Sequence, residues 1–166
     1  MLLPAHVLVF AWWAAQFGAY SKWWIMMADA NCVFCKIVAG QIPSQTVFTT
    51  DALIAFMDIG PLAEGHLLVI PRDHYPTLVD MPADLCRNMA AVLPRLGRSL
   101  LRVTGAAGFN LLVNNGEVSG QEVSHVHWHL IPRAPSDGLG YRWNPKSYPP
   151  GRMEELAKLF DQSLAD

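Results

Sequence analysis

Three histidines at every second position are the feature that most constrains how this chain folds. They are His125, His127 and His129, and they alternate with the apolar residues Val126, Trp128 and Leu130. A period of two is typical of a β-strand, so we expect the imidazoles on one face and the apolar residues in the core. Pro132 is expected to end the strand because it has no N–H to donate to the ladder.

The three histidines on one strand face can be interpreted in three ways, two of which give them a chemical function. Imidazole is the side chain whose protonation changes most easily near neutral pH. Three of them together form either a nucleophile with helpers or a set of metal ligands. The remaining alternative is an exposed polar face that happens to be histidine. The strict alternation, beside a second polar cluster at residues 114–122, argues against it.

The rest of the chain predicts strands in runs with helices inserted. Apolar residues at helical spacing predict a long helix that Asp80 caps and that Pro94 and Gly97 weaken midway. A short amphipathic helix is predicted after Pro150. The predicted strands cover residues 47–50, 52–57, 66–70, 109–114 and 123–131. This order predicts an α+β fold with an antiparallel sheet, a long helix and a C-terminal helix.

Composition narrows the class of protein. A chain of 166 residues with 52% hydrophobic content is suited to one compact domain. A formal net charge of −2 gives no reason to expect a nucleic acid or an anionic membrane surface as partner. Three cysteines do not form a disulfide framework, and they fit a reducing compartment, so we expect a cytoplasmic protein.

Residues 1–30 differ in composition from the rest and suggest a signal peptide or a membrane anchor. However, no basic region precedes the apolar run and no small-residue cleavage site follows it cleanly. Gln16 and Lys22 also interrupt it before the roughly 20 residues that a spanning helix needs. We interpret 1–30 as an extension outside the fold, as from a misassigned start codon, with a peripheral anchor as the alternative. The predicted boundaries are then 31–145 for the domain and 146–166 for a tail and helix.

The histidine stretch resembles the signature of the histidine triad (HIT) family of nucleotide hydrolases and transferases. Four further stretches recur in the same order in the Hint-like bacterial branch of that family. They are Cys32-Val-Phe-Cys35-Lys-Ile, Phe56-Met-Asp58-Ile-Gly-Pro, Gly65-His66-Leu-Leu-Val-Ile-Pro-Arg-Asp-His74 and Asn114-Asn-Gly-Glu-Val-Ser-Gly-Gln121. The resemblance covers about residues 32–143. It implies the HIT-like fold, pairing as a homodimer, and a purine nucleotide or nucleotide conjugate as substrate.

The resemblance also implies a role for each site residue. The middle histidine, His127, would attack the α-phosphate and form a nucleotidyl-histidine that water resolves. His129 and His66 would support its orientation and the phosphate charge, and Asp58 would bind the ribose hydroxyls. The base would be enclosed by Phe34, Ile37, Phe56 and Ile59, and phosphate oxygens would be held by Asn114 and Gln121. Judged on the residues alone, the four apolar positions are plain core and His66 is an ordinary strand-start residue.

The Cys32-x-x-Cys35 pair predicts either a redox motif or half of a zinc site. A redox motif needs a helix that begins at the cysteines, and the sequence predicts none there. By resemblance, the other two ligands are His74 and His125. Four protein ligands make a closed, structural Zn²⁺ site, one per chain.

Glu122 departs from the family pattern. Many members carry Ser or Thr at this position, immediately after the glutamine, and its hydroxyl serves the leaving group. The preferred leaving group is therefore not implied by the resemblance. Our interpretation is a zinc-containing, phosphoramidase-like nucleotide hydrolase. The alternatives are a non-catalytic nucleotide-binding or adaptor protein, and a metallohydrolase that uses the triad as metal ligands.

Overall fold

The computed structural model describes residues 28–140 and 146–164, so our interpretation of residues 1–27 lies outside the described part of the chain. The helices are α1 (Val33–Val38), α2 (Ala83–Thr104) and α3 (Arg152–Leu164). The strands are β1 (Thr46–Thr49), β2 (Leu53–Met57), β3 (Leu67–Pro71), β4 (Gly108–Val113) and β5 (Trp128–Arg133). Two 3₁₀ turns lie at Leu78–Asp80 and Glu117–Ser119. Within these ranges, no helix combines the length and the apolar character needed to cross a membrane.

The five strands form one antiparallel sheet in the order β1-β2-β3-β5-β4. The α+β prediction is therefore confirmed. The histidine strand β5 lies inside the sheet, between β3 and β4, with Leu68 and Leu112 opposite His129 on either side. This central place gives the histidine face two flanking strands that hold it rigidly.

The two faces of the sheet pack against different helices. On one face, α2 contributes Met89, Leu96 and Leu100 to a buried cluster that also contains the apolar triad residues Val126, Trp128 and Leu130. Each such side chain stabilises the fold by about 1.5–3 kcal/mol relative to exposure. On the other face, α1 packs Phe34 against Phe56 and Leu68. Because side chains alternate along β5, His129 belongs to this second, less covered face. The rings of His125 and His127, which precede β5, contact Phe34 on the same face.

The predicted bounds of the histidine strand are wrong at both ends. β5 begins at Trp128, not at Val123, and continues through Pro132. It pairs with β3 only from Trp128 to Leu130, whereas its pairing with β4 continues to Arg133. Beyond Leu130, one edge of β5 has no neighbouring strand, and this edge tolerates a residue without an N–H.

Two helix predictions also need correction. Helix α2 begins after Pro82, while Asp80 instead accepts the Thr77 N–H (2.9 Å) and closes the preceding 3₁₀ turn. A helix also starts immediately after Cys32, against the expectation that none begins at the cysteine pair. Six residues are too few for the apolar periodicity that reveals longer helices.

Candidate active site and metal centre

An open cavity of about 500 Å³ lies on the histidine face of the sheet. It brings together ten of the predicted site residues: Phe34, Ile37, Phe56, Asp58, Ile59, His66, Asn114, Glu122, His127 and His129. The sequence prediction missed Leu62 and Leu112, which also line it. Leu112 was detectable, since it lies on the same face as Asn114, two residues away along β4. Leu62 lies in a loop and carries no such periodic signal.

The His127 ring is oriented by backbone. Its Nδ1 lies 2.7 Å from the carbonyl oxygen of His125. A carbonyl only accepts hydrogen bonds, so the proton of the neutral ring lies on Nδ1 and the Nε2 lone pair is free. The side chain is 5% exposed. A buried imidazole with its lone pair on Nε2 is arranged as a nucleophile.

Asp58, His66 and His129 form a chain of polar contacts beside it. His66 Nε2 lies 2.9 Å from His129 Nδ1, and Asp58 Oδ2 lies 3.3 Å from His66 Nδ1. The Leu62 backbone N–H donates to the same Nδ1 at 3.2 Å. Burial lowers the pKa of His66 and lowers that of His129 to about 4. His129 is therefore neutral at pH 7.

One end of the cavity is aromatic. The Phe34 ring meets Phe56 edge-on at 5.7 Å between centroids and meets His127 at 5.2 Å. Both phenylalanines are buried and belong to the core as well as to the cavity wall. Ile59, in contrast, is fully exposed at the rim. Phe34 and Phe56 are therefore core residues that also line the cavity, and their contact with a base stays a prediction.

The loop after β4 approaches the cavity through glycines. Gly116 and Gly120 adopt φ values of +85° and +90°, which glycine reaches without strain. Asn114 Nδ2 donates to the Gly120 carbonyl at 3.1 Å and stays at the cavity wall. Glu122 also lines the cavity and is exposed.

Gln121 occupies a different environment. Its Nε2 donates to the carbonyls of Pro76 (2.6 Å) and Val123 (2.9 Å), and its Oε1 accepts the Gly116 N–H at 2.7 Å. The side chain is buried. These contacts hold the loop in place, and a direct contact between Gln121 and phosphate stays a prediction.

A second cluster collects the four predicted zinc ligands. The ligand atoms of Cys32, Cys35, His74 and His125 all lie within 4.8 Å of one another. Sulfur-to-Nδ1 distances are 3.5 Å for Cys32–His125, 3.4 Å for Cys35–His74 and 3.6 Å for Cys35–His125. Tetrahedral bonds of ordinary Zn–S and Zn–N length place such atoms about 3.6 Å apart. The residues present therefore fit a tetrahedral ion.

His125 is held ready for this role by the backbone. Its Nε2 donates to the Pro71 carbonyl at 3.1 Å, which leaves the Nδ1 lone pair facing the sulfurs. The triad is therefore divided between two sites: His125 belongs to the cysteine cluster, whereas His127 and His129 line the cavity. This division does not match the alternative in which all three triad histidines hold one metal.

Comparison with known proteins identifies the class. Residues 39–136 match the family model described as the HIT domain. The chain is 39% identical over 138 residues to adenosine 5'-monophosphoramidase HNT1 of Saccharomyces cerevisiae, covering 82% of this chain and 83% of that protein. The chain belongs to the HIT family, as the sequence predicted.

Two further similar proteins are a plant enzyme, matched by sequence, and a zinc-bound bacterial protein, matched by structure. The chain is 41% identical over 109 residues to adenylylsulfatase HINT3 of Arabidopsis thaliana, covering 66% of this chain and only 55% of that protein. It superimposes with a TM-score of 0.63, at 36% identity, on a zinc-bound histidine triad family protein from Mycobacterium smegmatis, covering 80% of this chain and 97% of that one. The α+β fold is that of the HIT family.

Proposed function

We propose that this chain hydrolyses purine nucleotide conjugates at the α-phosphate, through a nucleotidyl intermediate on His127. The observation that carries the proposal is the hydrogen bond from His127 Nδ1 to the His125 carbonyl, which leaves Nε2 as a lone pair in the cavity wall. Relatives named as a monophosphoramidase and an adenylylsulfatase support hydrolase activity on nucleotide substrates.

The proposed reaction has two displacements at phosphorus. His127 Nε2 attacks the α-phosphorus, the bond to the leaving group breaks, and the leaving group departs with the electron pair and takes up a proton. Water then attacks the same phosphorus and gives up a proton, the P–N bond breaks, and nucleoside monophosphate and neutral His127 are released. The proton lost by water balances the one taken up by the leaving group. Splitting one displacement into two lets a rigidly held imidazole, and not a free water molecule, start the reaction.

The remaining cavity residues would bind and orient the nucleotide. Phe34 and Phe56 would enclose the base together with Ile37 and Ile59, and Asp58 would accept hydrogen bonds from the ribose hydroxyls. Asn114 and the glycines of the loop 116–120 would approach the phosphate. His66 and His129 would support the charge on it.

The metal cluster would serve structure and not the reaction. Zn²⁺ bound by Cys32, Cys35, His74 and His125 would tie α1 to the segment that precedes β5, in which His127 also lies. All four positions are protein side chains, so none is left for substrate. We propose one ion per chain.

We also propose a homodimer in the cytoplasm. β4 is an edge of the sheet, with Leu111 46% exposed on it. Phe109 on the same strand is also exposed, and the unpaired backbone groups of an apolar edge strand can pair with a second chain. Light scattering of the purified protein tests the assembly.

The test of the catalytic proposal compares His127→Ala with Ser124→Ala in the full chain. Each is mixed with a fluorogenic adenosine phosphoramidate, and the quenched wild-type reaction is analysed by mass spectrometry for AMP bound to His127. His127→Ala should lose at least about a thousandfold in turnover while it still binds AMP. Ser124 is exposed outside the cavity, so its variant should match wild type.

Three outcomes separate the candidate functions. A bound nucleotide without turnover in wild type would favour a non-catalytic binding or adaptor protein. A His127→Ala variant within about tenfold of wild type would refute the covalent intermediate. Activity that chelation abolishes while the fold stays intact would favour metal-assisted hydrolysis.

A further inference from the structure

We propose that the backbone N–H of Leu62 sets the proton position on His129, acting through His66, so that His129 presents an N–H to the phosphate. Leu62 and His66 are then positioning residues. The inference rests on the proposed function for its catalytic consequence only. The proton positions themselves belong to the protein without substrate.

The first link is the contact between Leu62 and His66. The Leu62 nitrogen lies 3.2 Å from His66 Nδ1. A backbone N–H only donates, so Nδ1 must offer its lone pair. A neutral His66 therefore carries its proton on Nε2.

The second link passes this choice to His129. His66 Nε2 lies 2.9 Å from His129 Nδ1, and the proton on Nε2 makes His66 the donor. His129 Nδ1 accepts, which leaves the proton of the neutral His129 ring on Nε2. Within the described residues, this Nε2 is buried and has no protein partner. Buried polar atoms without partners are rare, and a phosphate oxygen would supply the missing acceptor.

Asp58 opposes this arrangement. Its Oδ2 lies 3.3 Å from the same His66 Nδ1, and a carboxylate only accepts, so it favours a proton on Nδ1. That proton would reverse both links and leave a lone pair on His129 Nε2, facing a negatively charged phosphate. The other oxygen, Oδ1, already accepts the Gly60 N–H at 2.8 Å. A backbone N–H cannot turn into an acceptor, whereas the Asp58 carboxylate can accept from a ribose hydroxyl in place of His66, so the contact with Leu62 sets the proton position.

The neighbouring His127 has the opposite proton position. The His125 carbonyl places its proton on Nδ1 and its lone pair on Nε2. One cavity wall thus holds a lone pair on His127 and an N–H on His129, with ring centroids 4.8 Å apart. A lone pair that attacks phosphorus and an N–H that holds an oxygen of the same phosphate are complementary.

The experiment replaces the Leu62 amide by an ester. Incorporation of the α-hydroxy analogue of leucine at position 62 removes the N–H and keeps the side chain. The same ester at Ala63, the next residue, is the matched control. Nitrogen-15 NMR of histidine-labelled full-length protein at neutral pH then reports which ring nitrogen of His66 and His129 carries the proton.

We expect wild type and the Ala63 ester to show His129 protonated on Nε2. The Leu62 ester places an oxygen against His66 Nδ1, so His66 and His129 should both change to the Nδ1–H form. Turnover should fall between about tenfold and a thousandfold, with AMP affinity changed less. In a His129→Gln background, whose amide offers N–H groups in either case, the Leu62 ester should have no further effect on kcat.

The NMR result decides independently of catalysis. Wild-type His129 protonated on Nδ1, or on both nitrogens at neutral pH, overturns the proposal, as does a Leu62 ester that leaves both rings unchanged. If the proton positions change as expected but no nucleotide conjugate is hydrolysed by wild type, the positioning role holds and the proposed function fails.

Discussion

Acidification should destabilise the fold through the His129 ring. Burial, helped by the charges of His127 and His66, lowers the pKa of His129 from 6.5 to about 4. In the unfolded chain the ring regains its ordinary pKa. Between about pH 6.5 and pH 4 the unfolded chain therefore binds a proton that the folded protein does not. The free energy of unfolding must fall as the pH falls through this window, and this contribution is constant above and below it.

The size of the effect follows from the separation of the two pKa values. A difference of between two and three pKa units, at about 1.4 kcal/mol per unit, corresponds to roughly 3 kcal/mol before any screening. The ring is partly exposed at the cavity, so solvent screening reduces this value, and we expect on the order of 2 kcal/mol. That is a large fraction of the stability of a small domain.

The assay is urea unfolding of wild type and His129→Gln at a series of pH values from about 7 to about 4.5. Glutamine does not titrate, so the variant lacks the protonation of residue 129, whereas the other histidines affect the pH dependence of both proteins alike. The difference between the two free energies of unfolding should shrink or reverse towards low pH, by the amount given above. Parallel curves across the whole range would refute the reasoning, since they would show that His129 does not resist protonation in the folded state.

Three further changes test other parts of the molecule. Cys35→Ala should lose both the bound zinc and thermal stability, measured by metal analysis and calorimetry, whereas Cys86→Ala on α2 should keep both. A folded wild-type protein that contains no zinc after purification would contradict the assignment. Gly65→Ala should lower the free energy of unfolding by about 1–3 kcal/mol in urea unfolding, because Gly65 has φ +91° and an added Cβ would overlap the Thr104 methyl group. An unchanged urea midpoint would contradict this prediction. Glu122→Gln should slow amidate hydrolysis more than anhydride hydrolysis and flatten one limb of the pH profile, because a carboxyl can supply a proton to a basic leaving group; equal rates on both substrates from about pH 5 to 9 would show that Glu122 only faces solvent.

The sequence predicted which face of the sheet holds the candidate catalytic residues, because that prediction depends only on the alternation of side chains along a strand. Side chains alternate along an extended chain, so the pattern predicted His127 and His129 on one face opposite Trp128 and Leu130. Both histidines line the cavity, although only His129 lies within β5. The ends of the same strand could not be predicted in this way. They depend on which residues of β3 and β4 pair with it, since β3 pairs only from Trp128 to Leu130 whereas β4 pairs as far as Arg133, and both partners lie in other parts of the chain.

The contacts of Gln121 show a second limit. The contact with phosphate that the resemblance implies stays a prediction, and the sequence did not predict that both ends of the amide bind backbone groups, including Pro76 from a distant segment. Backbone groups are present at every residue, so no residue pattern reveals which of them a side chain will meet. The contact between Leu62 and His66 was missed for the same reason, since Leu62 takes part in it only through its backbone N–H.

The same dependence on backbone groups explains how one residue type can serve the three roles that we propose for it. The Pro71 carbonyl turns the His125 lone pair towards the sulfurs, the His125 carbonyl turns that of His127 into the cavity, and the Leu62 N–H acts on His66. Each backbone group decides which imidazole nitrogen carries the proton, and that choice separates the proposed metal ligand His125 from the proposed nucleophile His127. Histidine spacing therefore locates the site, but the division of labour within it is set by backbone groups that another sequence with the same triad could present differently.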